Sequence, residues 1–229
     1  MVVLQAASLM NSSAYAKSHN TSSKSAVMKT VPDPLEPVNR AVFRFNELLD
    51  KFLLRPLAVT YRKIVPEPGR RSINNALDNL SNPVSAVNSI FQGNFTKASD
   101  YSWRFVVNST LGVGGLFDVA KVAGLYVKDS EDLGQTFGHY NMGPGFYLVL
   151  PVLGPSTFRD AVGRVGDGFM DPFNYVDSDA YHITKNTLYG FSQRERVLDI
   201  TDDVYRSSFD PYATLRSLYT QNRVRQINR

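Results

Sequence analysis

The feature that most limits how this chain can fold is the spacing of its apolar residues. Val38, Ala41, Val42, Phe45, Leu48, Leu49 and Phe52 recur at intervals of three and four, which places them on one face of a helix. Phe43, Leu53 and Leu54 fall off that stripe, so the predicted helix is apolar on more than one side. Asp33-Pro34-Leu35-Glu36 is a start signal for it: Asp33 is placed to cap, Pro34 suits a first turn, and Glu36 sits where a capping-box acid belongs.

Proline punctuates the next stretch of chain. A second piece starts at Pro56 and runs to Pro66. A third begins near Pro68, carries Ile73, Ala76, Leu77 and Leu80, and ends before Pro83. Pro83 is then predicted to open a short helix closed by Gly93. Phe95 to Leu111 is the most apolar stretch, the pattern of a helix that is buried all round or faces lipid. Gly112-Val113-Gly114-Gly115 breaks it, and helix can resume over Leu116 to Leu125. Residues 124–145 are rich in glycine and polar side chains and read as a long loop. Phe146 to Pro151 is extended in character. Ser156 is predicted to cap a helix through Phe169, Ser178 to about Arg206 to form one long helix, and Asp210-Pro211 to start the last. No period of 20 to 50 residues repeats. The predicted class is mostly α.

Composition narrows function. The chain has no cysteine, which excludes disulfides, thiolate metal sites and cysteine nucleophiles within these 229 residues. Residues 1–30 hold three of its 25 basic residues and none of its 21 acids, so the remainder is nearly neutral and nucleic acid is not an expected partner. Residues 1–16 end in Ala14-Tyr15-Ala16 after a short apolar run. This is the small-x-small pattern of a signal peptide, though no basic residue precedes Lys17. Residues 17–32 read as a flexible linker, 33–222 as a single helical domain, and 223–229 as a basic tail. No apolar run is long enough for a transmembrane helix.

Catalytic signals are thin. No H-E-x-x-H, G-x-S-x-G or P-loop lysine pattern is present, so no catalytic residue, metal or cofactor is expected. Gly112, Gly114 and Gly115 read as a tight turn or hinge rather than a phosphate cradle, since no Gly-Lys-Ser/Thr comes after them. His139, between Gly138 and Tyr140, reads as a histidine that orients its own loop. Arg159, Asp160, Arg164 and Asp167 fall on one predicted helix. They read as a solvated or pore-facing ion cluster rather than an acid/base pair.

From Asp33 to about Asn222 the order of motifs resembles the MlaA (VacJ) family, the outer-membrane component of a phospholipid-asymmetry maintenance pathway. The opening DPLEPVNRAVFRFN is followed by Arg55-Pro56 and Val65-Pro66, then Asn79-Leu80 with Pro83, Val87-Asn88 and Gln92-Gly93. Arg104-Phe105, Asn108, Leu111 to Gly115 and Asp118-Val119-Ala120 form a third block. The most specific is EDLGQTFGHYNMGPGFYLVLPVLGPSTFRD, residues 131–160.

The resemblance implies a ring-shaped bundle of amphipathic helices, with long Gly/Pro-rich loops, around a central amphipathic channel. It would lie in the inner leaflet of the outer membrane, on the periplasmic side. Phospholipids would pass from the outer leaflet to a periplasmic lipid-carrier protein, beside a trimeric outer-membrane porin, with no covalent chemistry. Gly112, Gly114, Gly115, Gly138, His139, Gly143, Gly145, Arg159 and Asp160 are the candidates for lining or hinging such a channel. Many members carry an acylated cysteine. With none here, the expectation is an exported, unlipidated chain. A soluble periplasmic lipid-binding carrier and a porin-docking structural adaptor are the alternatives.

Overall fold

The computed structural model describes residues 31–127 and 129–228. The predicted signal and most of the linker, His19 among them, lie outside the described residues. The chain is mostly helical. In order it forms α1 (Glu36–Leu49), a π-helical turn (Asp50–Leu54), α2 (Arg55–Ile64), α3 (Glu67–Phe91), α4 (Phe95–Thr110), α5 (Val119–Val122), α6 (Leu133–His139), β1 (Tyr147–Leu150), β2 (Gly154–Thr157), α7 (Phe158–Met170), a 3-10 turn (Pro172–Tyr175), α8 (Asp179–Arg196), α9 (Leu198–Ser207) and α10 (Pro211–Ile227). No described helix is long and apolar enough to cross a membrane.

Several boundaries differ from the sequence prediction, each for a physical reason. Asp33 does not cap α1. Its carboxylate instead accepts from Asn39 at 2.7 Å and from the Tyr212 hydroxyl, and pairs with Arg216 at 3.4 Å. Pro56 does not begin a new piece: α1 runs into α2 through the π turn, which widens the helix just before a residue with no N–H to give. Pro83 sits inside α3, where tertiary packing against α4 holds the helix on course, and Asn79 reaches Ser109 of α4 at 2.9 Å. The expected loop over 124–145 contains α6, started by Asp132, whose side chain accepts from Gln135 N. Ser156 is buried in β2, and α7 starts two residues later. The predicted long helix from Ser178 breaks at Val197.

The described residues fall into two compact units. One holds 31–58, 144–158 and 193–228. Its core joins Val31, Phe43, Tyr147, Val149, Val204, Tyr212, Leu215 and Tyr219. The rings of Phe43 and Tyr147 meet Tyr212 edge-on at 5.6 and 6.0 Å. The antiparallel hairpin β1–β2 pairs Tyr147 with Thr157 and Leu150 with Gly154. Its free edge is closed by a helix. Asn39 gives to Tyr147 O at 3.0 Å and accepts from Val149 N at 2.9 Å, while Asn46, seven residues on, does the same for Leu150 O and Val152 N at 3.0 and 2.8 Å. Two side-chain amides thus stand where a neighbouring strand would be.

The second unit holds 59–143 and 159–192. The long helix α3 packs along α4 and against α6. Gly163 of α7 lies directly against the backbone of Gly134 in α6: a Cβ on Gly163 would stand 2.4 Å from Gly134 N.

Candidate functional site

The interior of the second unit is polar. Leu77, Asn79, Asn82, Ser85, Ala86, Asn88 and Ser89 are the buried residues of α3, and five of the seven are Asn or Ser. Asn88 gives to Asp167 of α7 at 2.9 Å and accepts from the Thr136 hydroxyl of α6 at 2.9 Å. The Asp167 carboxylate also receives Leu133 N at 3.0 Å, where the start of α6 offers a donor with no partner in the helix. Around Glu131, Lys97 pairs at 2.6 Å and Gln92 gives at 3.1 Å, while Ser85 Oγ accepts Glu131 N at 3.1 Å. At the end of α4, both Asp118 oxygens take Arg104 at 3.0 Å, and Asn108 joins at 3.0 Å. Burial works to raise the Asp118 carboxyl, but these hydrogen bonds prevail and hold it below the usual carboxylate range.

The exposed faces are apolar. On α1 and the π turn, Val38, Phe45, Leu48 and Phe52 of the periodic stripe point outward, Phe52 being 72% exposed, while Val42 of the same stripe packs against the core and Asn39 and Phe43 point inward. On α7, Phe158, Val162, Val165 and Phe169 recur at spacings of four, three and four and are all exposed, while Arg159, Asp160 and Gly163 are buried. On α4, Phe95, Trp103 and Val106 are exposed, while Ala98, Tyr101 and Asn108 are buried. Scattered apolar side chains are normal on a protein surface. Whole stripes facing out from helices that bury amides and charges are not.

Most of the predicted site residues sit at turns or helix ends. Gly112, Gly114 and Gly115 form the turn after α4. Gly115, at φ +91°, lies so close to α3 that a Cβ would meet Asn79 at 2.8 Å, whereas Gly114, at φ +69°, has open space around it. Gly138 and His139 end α6. His139 is exposed, its ring edge-on to Tyr140 at 5.4 Å. Gly143 has open space, and Gly145, at φ +70°, lies against Phe158. Arg159 and Asp160 pair at 3.0 Å with side chains only 7% and 3% exposed, so this pair is not solvated, and Arg159 also reaches Met142 O at 3.2 Å. That last bond brings α7 to the loop after α6. Asp160 turns to Arg159, whereas Asp167 turns to Asn88 and Leu133 N.

Sequence reasoning passed over Asn88, Thr136, Glu131 and the Gly134–Gly163 contact. The available signal was polar residues at helical spacing, Asn79, Asn82, Ser85 and Ser89, opposite an apolar face. Among the described residues, no group of three His, Cys, Asp or Glu side chains is placed to hold a metal.

A polar interior in the second unit, with apolar stripes exposed on α1, α4 and α7, marks a helical protein that turns much of its apolar surface outward. Comparison with known proteins gives the family. Residues 31–226 match the family model described as MlaA lipoprotein, and the chain belongs to that family. It is 38% identical over 192 residues to the intermembrane phospholipid transport system lipoprotein MlaA of Escherichia coli, covering 82% of this chain and 76% of that protein. The protein of the same description in Haemophilus influenzae is 31% identical over 199 residues, covering 86% and 79%. An uncharacterized protein of Rickettsia bellii is 38% identical over 206 residues, covering 90% and 80%. A chain solved in work on the structural basis for maintenance of bacterial outer membrane lipid asymmetry matches with a TM-score of 0.77. It is 38% identical and covers 86% of this chain and 99% of that one.

Proposed function

We propose that this chain moves phospholipid, without covalent chemistry, from the outer leaflet of the outer membrane towards the periplasm through an amphipathic channel. One observation carries the reading: apolar stripes face outward on α1, α4 and α7, while amides and ion pairs fill much of the second unit's interior and the hairpin unit alone keeps an apolar core. In water that arrangement is unfavourable, because it exposes what hydration penalises. In acyl chains it is the stable one, since backbone groups are satisfied within helices and polar side chains pair with each other. Helices with such stripes lie within one leaflet without crossing it. A head group crossing hydrocarbon alone loses hydration at a cost of several kcal/mol, and a polar-lined path removes most of it. The names carried by the E. coli and H. influenzae relatives support the same reading.

On this reading 1–16 is the export segment and 17–30 the linker, and the working domain, expected over 33–222, takes in Val31 of the core and the rest of α10 through Ile227, with Arg223 buried. The glycines at 112–115, 138, 143 and 145, with His139, Arg159 and Asp160, line or hinge the path. A periplasmic lipid carrier takes the lipid, and a trimeric porin is the neighbour in the membrane.

The deciding experiment is fractionation of the native protein followed by a carbonate wash of the outer membrane. Retention is expected. Complete release with lipid bound at fixed stoichiometry overturns the channel in favour of a soluble carrier. Retention with normal outer-leaflet lipid in a deletion strain overturns it in favour of a docking adaptor. For the hinge, Gly114→Val with Gly115→Val is expected to lower transport, and unchanged transport removes the 112–115 turn from the path.

A further inference from the structure

The turn that joins α4 to α5 carries a valine where the backbone favours glycine. Val113 sits at φ +53°, in the left-handed region, where a β-branched residue is a genuine outlier. Packing against the rest of the protein does not account for it, because its side chain is 62% exposed. Backbone strain of this kind collects at functional positions. The neighbours share its character: Leu111, Leu116, Phe117, Val122 and Tyr126 are exposed as well. Among the described residues from 110 to 126, Lys121 is the one exposed charge, since Asp118 is held by Arg104 and Asn108.

Exposure to hydrocarbon leaves a different mark on a backbone from exposure to water. A turn in water can leave N–H groups to the solvent, whereas one among acyl chains has to satisfy them within the protein. Here Gly112 donates to Val107 O at 3.2 Å, Gly114 to Ser109 O at 3.1 Å, Gly115 to Asn108 O at 2.7 Å and Phe117 to Gly112 O at 3.0 Å. After α5, Ala123, Gly124 and Leu125 donate to the carbonyls of Val119, Lys121 and Ala120. The Asn108 side chain takes Ala120 N at 2.9 Å, and Thr110 turns its hydroxyl back to Val106 O at 2.7 Å. Gly112 and Gly115 are the buried residues of the turn, so Val113 serves a different face from theirs. We propose that this turn is a wedge sunk among the acyl chains of the leaflet, and that Val113 is kept there for its side chain despite the strain. The wedge rests on the membrane placement proposed above and adds which loop enters the hydrocarbon.

These 229 residues hold no cysteine, so one introduced thiol is a unique reporter. Val113→Cys carries a bimane label at the tip, and Leu111→Cys is a second probe beside it, at an ordinary helical φ of −78°. Phe169→Cys reports the α7 stripe and Asp203→Cys an exposed polar position on α9. The full chain is reconstituted in vesicles of phosphatidylethanolamine and phosphatidylglycerol, and quenching by a lipid-borne nitroxide is compared with quenching by aqueous iodide. Labels at 113, 111 and 169 are expected to favour the lipid quencher by roughly threefold or more over the label at 203. Labels at 113 and 111 that match 203, while 169 stays lipid-quenched, overturn the wedge and leave the membrane placement standing. A label at 169 that also matches 203 removes that placement and the wedge with it. Shielding of 113 and 111 from both quenchers puts protein over the turn and overturns the wedge too. Val113→Asn gives an independent measurement, because asparagine enters the left-handed region more readily than valine. Its thermal midpoint in detergent is expected at or above the parent's. A lower midpoint shows that packing within the fold holds Val113 in place, and the proposal falls.

Discussion

Gly163→Ala probes the close backbone approach of α7 to α6 in the second unit. The new Cβ would stand 2.4 Å from Gly134 N, 2.8 Å from Gly134 Cα and 3.1 Å from the Leu133 carbonyl carbon. All three are backbone atoms, so no rotamer change relieves the overlap. Ordinary contact begins near 3.4 Å, so α6 and α7 must separate by about 1 Å. That movement pulls on the Leu133 N to Asp167 bond of 3.0 Å and, through Asp167, on Asn88. Overpacking of this kind costs about 1–3 kcal/mol. Working the other way, alanine is the better helix former by about 0.5–1 kcal/mol. The net expectation is a loss of about 1–2 kcal/mol, which for a chain of this size lowers the thermal midpoint by about 2–8 °C. Gly168 supplies the control. It lies on the same helix, and its Cβ would meet only Asn174 Nδ2 at 4.0 Å, so Gly168→Ala should keep the propensity gain and be neutral or stabilising. The assay is thermal unfolding of both variants in the same detergent, followed by circular dichroism. A Gly163→Ala midpoint at or above the parent's, or equal losses in both variants, refutes the argument.

The other predictions concern the polar interior and the apolar skin. Asn88→Ala removes one bond to Asp167 and one from Thr136 in a fully buried setting, and should lower stability by about 1–3 kcal/mol in detergent unfolding. Asp118 is held below the usual carboxylate range. Its stabilising share is therefore complete above the unfolded value of about 3.9 and is lost as pH falls through the lower folded value. Between pH 5 and 3 the midpoint of Asp118→Asn should fall less steeply than the parent's, with parallel curves contradicting this. Phe169, 72% exposed on the α7 stripe, touches little of the protein, so Phe169→Glu should leave the detergent midpoint within about 0.5 kcal/mol of the parent's. The same variant should weaken retention in a carbonate-washed membrane, and unchanged retention argues that this face is not in lipid.

Helix content was legible because the period of three and four is written in the side chains, and proline and glycine positions gave many of the ends. The errors fell where long-range partners decide. Pro83 looks like a stop until Asn79 and Ser109 tie α3 to α4. Asp33 looks like a cap until Asn39, Tyr212 and Arg216 are brought around it by residues far along the chain. Strand β2 is Gly-Pro-Ser-Thr, which carries no strand signal of its own. It is extended because β1 lies beside it, and Asn39 and Asn46 hold β1's other edge. Arg159 and Asp160 were legible as a pair but not as a buried one, because adjacency in sequence says nothing of solvent.

The same distinction explains why the outward stripes were not read as outward. Periodicity reports which residues share a face and is silent on whether that face meets core, water or lipid. On α1 the apolar stripe Val38, Phe45, Leu48 and Phe52 would ordinarily be assigned to the core, yet Asn39 and Phe43 occupy the inward side. What fixes the direction is the partner of the opposite face. Asn39 and Asn46 complete the edge of β1, and Asn88 completes Asp167 and Thr136, so turning either helix over would strand those amides without partners. Each such group costs about 1–3 kcal/mol if left unpaired, comparable with the gain from burying one large apolar side chain. In water the two demands oppose each other. In acyl chains the outward apolar faces no longer need burial, and the inward partners orient the helices, the amides together with Phe43 in its aromatic core. The asparagines are therefore among the residues that set which way these helices face.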